Sequence, residues 1–228
     1  MAPLLLLCAA LFGAATAAFL PRVAHRLAVG FGEPARSACA RCSAPLDGWV
    51  RVGPACRCAP WPVVIVSVGA GVSVVLTLAV GASPLLPGLL LAAVPGLLLA
   101  VLDLHCLRLP DRLVAALAAI GAVPPAILHP ERIGSALVAG GLVLTAYLLV
   151  ALLPRGGLGL GDVKLAGALG LILGFAGWPA VLVGVLAPHL INGPIAVVLL
   201  LTGRAGRRRP LAFGPALLAG ALIALTLQ

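Results

Sequence analysis

The sequence predicts an all-α, polytopic integral membrane protein of about eight transmembrane helices, with a cysteine-containing loop on the cytoplasmic side. Three observations carry this. Of the 228 residues, 62% are hydrophobic and only 9% are charged, against about 25% charged in soluble globular domains. The apolar residues gather into runs approaching the ~20 residues that cross a bilayer. The basic residues lie in the connectors between those runs. A net charge of +9 therefore reads as an orientation signal for a membrane protein, and no nucleic-acid partner is expected.

The first run, residues 3–20, is a marginal span. Ala15-Thr16-Ala17 resembles a signal-peptide cleavage site, but no basic residue precedes the apolar core, which favours a retained helix. Residues 21–60 form the one sizeable polar segment, with Arg22, Arg26, Arg36, Arg41, Arg51 and Arg57 against Glu33 and Asp47. Apolar runs follow at about 62–81, 85–107, 111–128, 134–153, 163–177, 179–202 and 211–227. The run at 163–177 is short enough to be tilted or partly re-entrant.

Let these eight spans alternate, with the 21–60 loop in the cytoplasm. The six arginines above then share that side with Arg108, Arg112, Arg155, Lys164, Arg204, Arg207, Arg208 and Arg209, leaving Arg132 alone outside. The positive-inside rule expects such a bias. Both termini are expected outside the cytoplasm, and the protein is expected in the plasma (inner) membrane.

Carboxylates are scarce: six in the whole chain. Asp162 ends the glycine-rich part of residues 156–165, Gly-Gly-Leu-Gly-Leu-Gly-Asp-Val-Lys-Leu, just where an apolar run begins. A carboxylate facing the bilayer interior costs roughly 2.5–3.5 kcal/mol even on mild insertion scales. Asp103 lies inside another apolar run, 59 residues earlier. That separation allows one outward and one return crossing, so both carboxylates can reach the same depth.

Two close carboxylates do not readily ionise together, so one holds a proton while the other is free to activate water. That is the minimal apparatus for acid-base hydrolysis of a peptide bond. Gly159 and Gly161 permit close backbone approach beside Asp162, leaving room for an extended substrate. Asp162 as the N-cap of its helix is the plainer alternative. Asp111, just after Pro110, suits a structural first-turn position. Lys164 either offsets negative charge at the site or snorkels to the headgroups. His105 is near Asp103 in sequence, but a single interfacial histidine carries no function by itself.

Residues Gly159 to Leu165 resemble the GxGDxKL signature of the type IV prepilin leader peptidases, a family of GxGD aspartyl proteases. Leu102-Asp103 through Leu109-Pro110-Asp111 is similar to the family's first aspartate motif, in which the earlier aspartate is catalytic. Ala18-Phe19-Leu20-Pro21-Arg22-Val23 resembles its Gly-Ser-Phe-Leu-Asn-Val segment, and Phe213-Gly214-Pro215 its Phe-Gly-Pro. The resemblance implies catalysis by Asp103 and Asp162 at the cytoplasmic face, with prepilin or pseudopilin precursors as partners and no cofactor for proteolysis. It divides the chain into residues 1–60, the first span and loop, and residues 61–228, a membrane-embedded peptidase core.

Many family members also methylate the new N-terminus with S-adenosylmethionine, an activity linked to the large loop. Here Cys39, Cys42, Cys56 and Cys58 suit a tetrahedral zinc site. They depart from the family's CxxC…CxxC, since the second pair is CxC, and the loop is short. S-adenosylmethionine is expected only if methylation is retained. Two other classes compete: a transporter or channel using Asp103 and Asp162 as a proton or cation site, and a scaffold whose cysteine loop binds a partner. No second glycine-rich interruption or internal repeat supports a transporter.

Overall fold

The computed structural model describes residues 2–30, 32–46, 48–49, 51–52, 55–56, 58, 62–153, 158–202 and 212–228. Asp47, Arg57, Arg155, Gly156, Gly157, Arg204, Arg207, Arg208 and Arg209, used above for charge and loop assignments, lie outside them. Nine α-helices follow in order among the described residues: α1 (Ala2–Ala17), α2 (Leu20–Leu27), α3 (Pro62–Val80), α4 (Leu86–Cys106), α5 (Asp111–Leu128), α6 (Ile133–Leu152), α7 (Leu160–Ala176), α8 (Trp178–Leu201) and α9 (Gly214–Thr226). A single 3-10 turn, Pro130–Arg132, precedes α6. One isolated bridge, Ala38 to Pro45, is the nearest thing to a strand among the described residues. The fold is all-α.

Each of the eight expected apolar runs is helical. Five described helices are long and apolar enough to cross a membrane: Pro3–Leu27, Val63–Val80, Leu86–Cys106, Asp111–Leu128 and Pro130–Leu152. The first of these joins α1 and α2 across a turn at Ala18-Phe19, so helix continues beyond the end of the first apolar run into the arginine-bearing α2. At 17 and 13 residues, α7 and α9 are shorter than a straight crossing requires.

The sequence of α7 accounts for its position. Leu165, Ala166, Gly167, Ala168, Leu169 and Gly170 are all buried in succession, and a helix apolar on every side belongs inside a bundle. It packs against α5, α6, α8 and α9. Small residues set the distance: a Cβ at Gly174 would lie 2.6 Å from the Cα of Ala136 on α6. Close backbone approach of this kind drives helix association in membranes. The same device joins α1 to α3, where a Cβ at Gly13 would lie 2.2 Å from the Gly69 carbonyl oxygen.

Two ends of the bundle can be told apart. The C-terminal end of α4, the N-terminal ends of α5, α7 and α9, and the cysteine loop share one end. Arg108 joins them, its Nη1 donating to the carbonyl of Val29 at 2.8 Å and also to that of Gly30. Arg132 sits at the other end, where its Nη1 donates to the carbonyl of Phe175 at 2.9 Å. Beside it lies a cavity of about 130 Å³, lined by Leu85, Pro124, His129 and Phe175 among others. Arg132, the one basic residue expected on the far side, is thus opposite Arg22, Arg26, Arg108 and Lys164.

Candidate active site

Asp103 lies in the last turn of α4 and is buried, at 4% exposure. The helix ends four residues later at Leu107, a non-glycine residue in the left-handed region at φ 54°. That conformation costs roughly 1–3 kcal/mol, and it turns the chain sharply into Arg108-Leu109-Pro110 and α5. The Leu107 N–H caps the helix by donating to the Asp103 carbonyl at 2.9 Å. The Asp103 side chain points elsewhere: its Oδ2 accepts the N–H of Gly214, the first residue of α9, at 2.8 Å.

Asp162 lies in the first turn of α7, half-buried. The N-cap is Gly159, and Asp162 occupies the third helical position. The plainer alternative is therefore corrected in register: Asp162 reaches back to the N-cap instead of being it. Its Oδ2 accepts the Gly159 N–H at 3.3 Å, the carboxylate half of a capping box. Its Oδ1 is buried and has no hydrogen-bond partner among the described residues. A buried oxygen left bare is costly, and such atoms concentrate where a substrate or water completes the site.

Asp103 closes one helix and Asp162 opens another. They arrive from different helices, α4 and α7, at the same end of the bundle. Gly161 sits against Leu109, whose Cβ is 3.1 Å from where a Gly161 Cβ would be. The glycine thus lets the start of α7 approach the turn that follows Asp103.

Asp111 and Lys164 are joined to each other. The Lys164 Nζ donates to both oxygens of Asp111 at 2.8 Å. Asp111 is the first residue of α5, as its first-turn reading expects. Neither sequence alternative for Lys164 named this partner. His105 does not engage Asp103; its Nδ1 lies 2.7 Å from the carbonyl oxygen of Val101.

An aromatic group packs at the start of α9, and two of its three members, Tyr147 and His189, had no place in the sequence argument. Tyr147, His189 and Phe213 come from α6, α8 and the residue before α9, and their rings stack with centroids 5.5–6.3 Å apart. Phe213 precedes the amide that holds Asp103. The available signal was scarcity: Tyr147 is the only tyrosine in the chain.

The cysteine loop lies on α2 at this end. The Arg26 Nη1 donates to the carbonyls of Leu46 at 2.8 Å and Gly48 at 2.9 Å. Its guanidinium lies 4.1 Å from the centre of the Trp49 ring, a cation–π contact. Arg22 adds a bond from Nε to the Gly48 carbonyl at 3.3 Å. The sulfurs of Cys39, Cys42, Cys56 and Cys58 all lie within 4.8 Å of one another and could hold a metal ion. The Cys39–Cys56, Cys56–Cys58 and Cys39–Cys58 separations are 3.4, 3.6 and 3.8 Å. Tetrahedral thiolates at Zn–S ≈ 2.3 Å sit about 3.8 Å apart.

The donor set is electrostatically uneven. The backbone N–H of Arg41, then that of Cys42, holds the Cys39 thiol down at about 5. Burial pushes Cys56 up, and the hydrogen bond with Cys42, followed by burial, pushes Cys58 up to about 12. Four thiolates cannot crowd together without a cation to neutralise them, and a coordinated metal would supply that charge. Cys8 and Cys106 stand apart from this cluster.

Fold and site together define a helical membrane protein built around two carboxylates drawn from separate helices. The profile of the type IV leader peptidase family matches residues 89–225, a stretch that contains Asp103, Asp162 and Gly214. The chain belongs to that family. A similar protein, the prepilin leader peptidase/N-methyltransferase of Bacillus subtilis (strain 168), is 34% identical over 137 residues, covering 56% of this chain and 50% of that protein. The chain therefore spans about half the length of that relative. No solved structure matches it.

Proposed function

We propose that this chain is an intramembrane aspartyl endopeptidase. It removes the basic leader of type IV prepilin or pseudopilin precursors at the cytoplasmic face of the plasma (inner) membrane. The observation that supports the reading is that Asp103, at the end of α4, and Asp162, at the start of α7, stand at one end of the bundle, with Gly161 packed on Leu109, within the stretch that matches the family. One carboxylate holds a proton and donates it to the scissile carbonyl oxygen, while the other takes a proton from the attacking water. The pair titrates as a unit. The bare Oδ1 of Asp162 is oriented for this exchange by the capping bond on Oδ2. An extended substrate segment lies along the loop before α7, beside Gly159, while Gly161 packs on Leu109.

Residues 1–60 supply the first span and the cysteine loop, and residues 61–228 the peptidase core. The cytoplasmic placement rests on the basic residues gathered at the aspartate end. Zinc held by Cys39, Cys42, Cys56 and Cys58 has a structural task, closing the loop onto α2; it takes no part in proteolysis, which needs no cofactor. S-adenosylmethionine enters only if the loop supports methylation of the new N-terminus.

The test is leader removal, followed on a gel, in cells expressing a prepilin with the wild-type chain or its Asp103→Asn or Asp162→Asn variant. Loss of processing in both variants, at wild-type protein levels, is expected. Full processing by either one would refute the mechanism.

A further inference from the structure

Gly214 opens α9, and its N–H makes a fully buried bond to the Oδ2 of Asp103, a residue 111 positions away. The next residue, Pro215, has no N–H to offer. The Gly214 N–H thus makes the direct bond at the start of this helix, with the N–H of Phe213 also directed at the carboxylate. The partial positive charge at a helix N-terminus adds to the bond, since it favours an anion.

The absence of a side chain matters as much as the amide. A Cβ at 214 would lie 2.9 Å from Asp103 Oδ2, 3.2 Å from its Cγ and 3.4 Å from its Cβ. Gly214 has no left-handed φ, so glycine is required here by space and not by conformation. The obstructing group is a short side chain on a buried turn of α4, with no long flexible stem to swing aside. Phe213, packed against Tyr147 and His189, holds the start of α9 in place.

We propose that Gly214 is a positioning residue for Asp103. Its amide grips one carboxylate oxygen, and its missing side chain leaves the space that the carboxylate occupies. The inference rests on Asp103 being a reacting carboxylate, as read above.

The test uses the full chain in proteoliposomes with a prepilin substrate. Gly214→Ala is expected to lower kcat about 100-fold, the scale of a small misplacement of a reacting group, with KM nearly unchanged. Gly220→Ala is the control. On the same helix, its Cβ would lie 2.6 Å from Pro188 Cδ, a comparable overlap that does not touch Asp103. Its kcat should stay near wild type. Equal losses of kcat in the two variants would overturn the positioning role.

A second measurement needs no activity. In a Cys8→Ser, Cys106→Ser background, the Asp103→Cys, Gly214→Cys pair should form an intramolecular disulfide on mild oxidation, because the Cβ separation is near the ~3.5–4.5 Å that such bonds span. No bridge would refute the contact. If Asp103→Asn is inactive while Gly214→Ala keeps wild-type kcat, the inference fails and the peptidase reading stands. If Asp103→Asn still cleaves, the peptidase reading fails and takes the inference with it.

Discussion

The aspartate region and the cysteine loop share one end of the molecule but are held in opposite ways. Asp103 and Asp162 are fixed by backbone: a helix-opening amide for one, a capping bond for the other, and glycines that let helices close in. Among its described residues, the cysteine loop has no such helical frame. It is held by long side chains reaching to carbonyls, from Arg22, Arg26 and Arg108, and by four sulfurs gathered at one point. A site that must place two carboxylates gains from rigid elements. A loop outside the bundle relies on cross-links, which can be ionic, aromatic or metallic.

If that contrast is right, the two regions respond differently to perturbation. The largest effect should come from the cysteines. Purified wild-type protein should carry about one zinc per chain, and Cys39→Ser with Cys42→Ser should lose it, exposing residues 32–58 to protease while the bundle stays intact. A metal-free wild-type protein with a protected loop would remove zinc from the account. Arg26→Ala should be next. Losing two charge-assisted bonds and the Trp49 contact should destabilise the loop by about 1–3 kcal/mol, read as faster limited proteolysis there, with α4 and α7 unaffected. An unchanged cleavage rate would mean that Arg26 is not a tether. Asp111→Asn should have the smallest effect. Its ion pair with Lys164 is exposed, at 70% and 50% side-chain accessibility, and such pairs are worth about 0–1 kcal/mol. Prepilin processing should fall no more than a few-fold; abolished activity in a well-folded Asp111→Asn protein would mean that the first reacting aspartate is Asp111.

Much of this was legible in the sequence because membrane proteins write their constraints openly. Long apolar runs leave few alternatives to helices, and a carboxylate inside one is conspicuous, which is how Asp103 and Asp162 stood out. The burial of α7 was not read from the sequence, where its length suggested a tilted or re-entrant segment; the small residues on all its faces account for it. What stayed hidden depends on contacts between distant positions. Nothing near Lys164 in sequence points to Asp111, and nothing near Phe213-Gly214-Pro215 points to Asp103. The arginines of α2 were counted for orientation, and their bonds to the cysteine loop became visible only once the loop was folded against them.

The central claim is that Asp103 and Asp162 act as one unit. The most direct measurement compares cleavage rates of Asp103→Asn, Asp162→Asn and the double variant on one prepilin substrate, in protein shown to be folded. Groups that act together give grossly non-additive losses, so the double variant should be no slower than either single one. A double variant slowed by the product of the two single losses would mean independent contributions, and would contradict the pair.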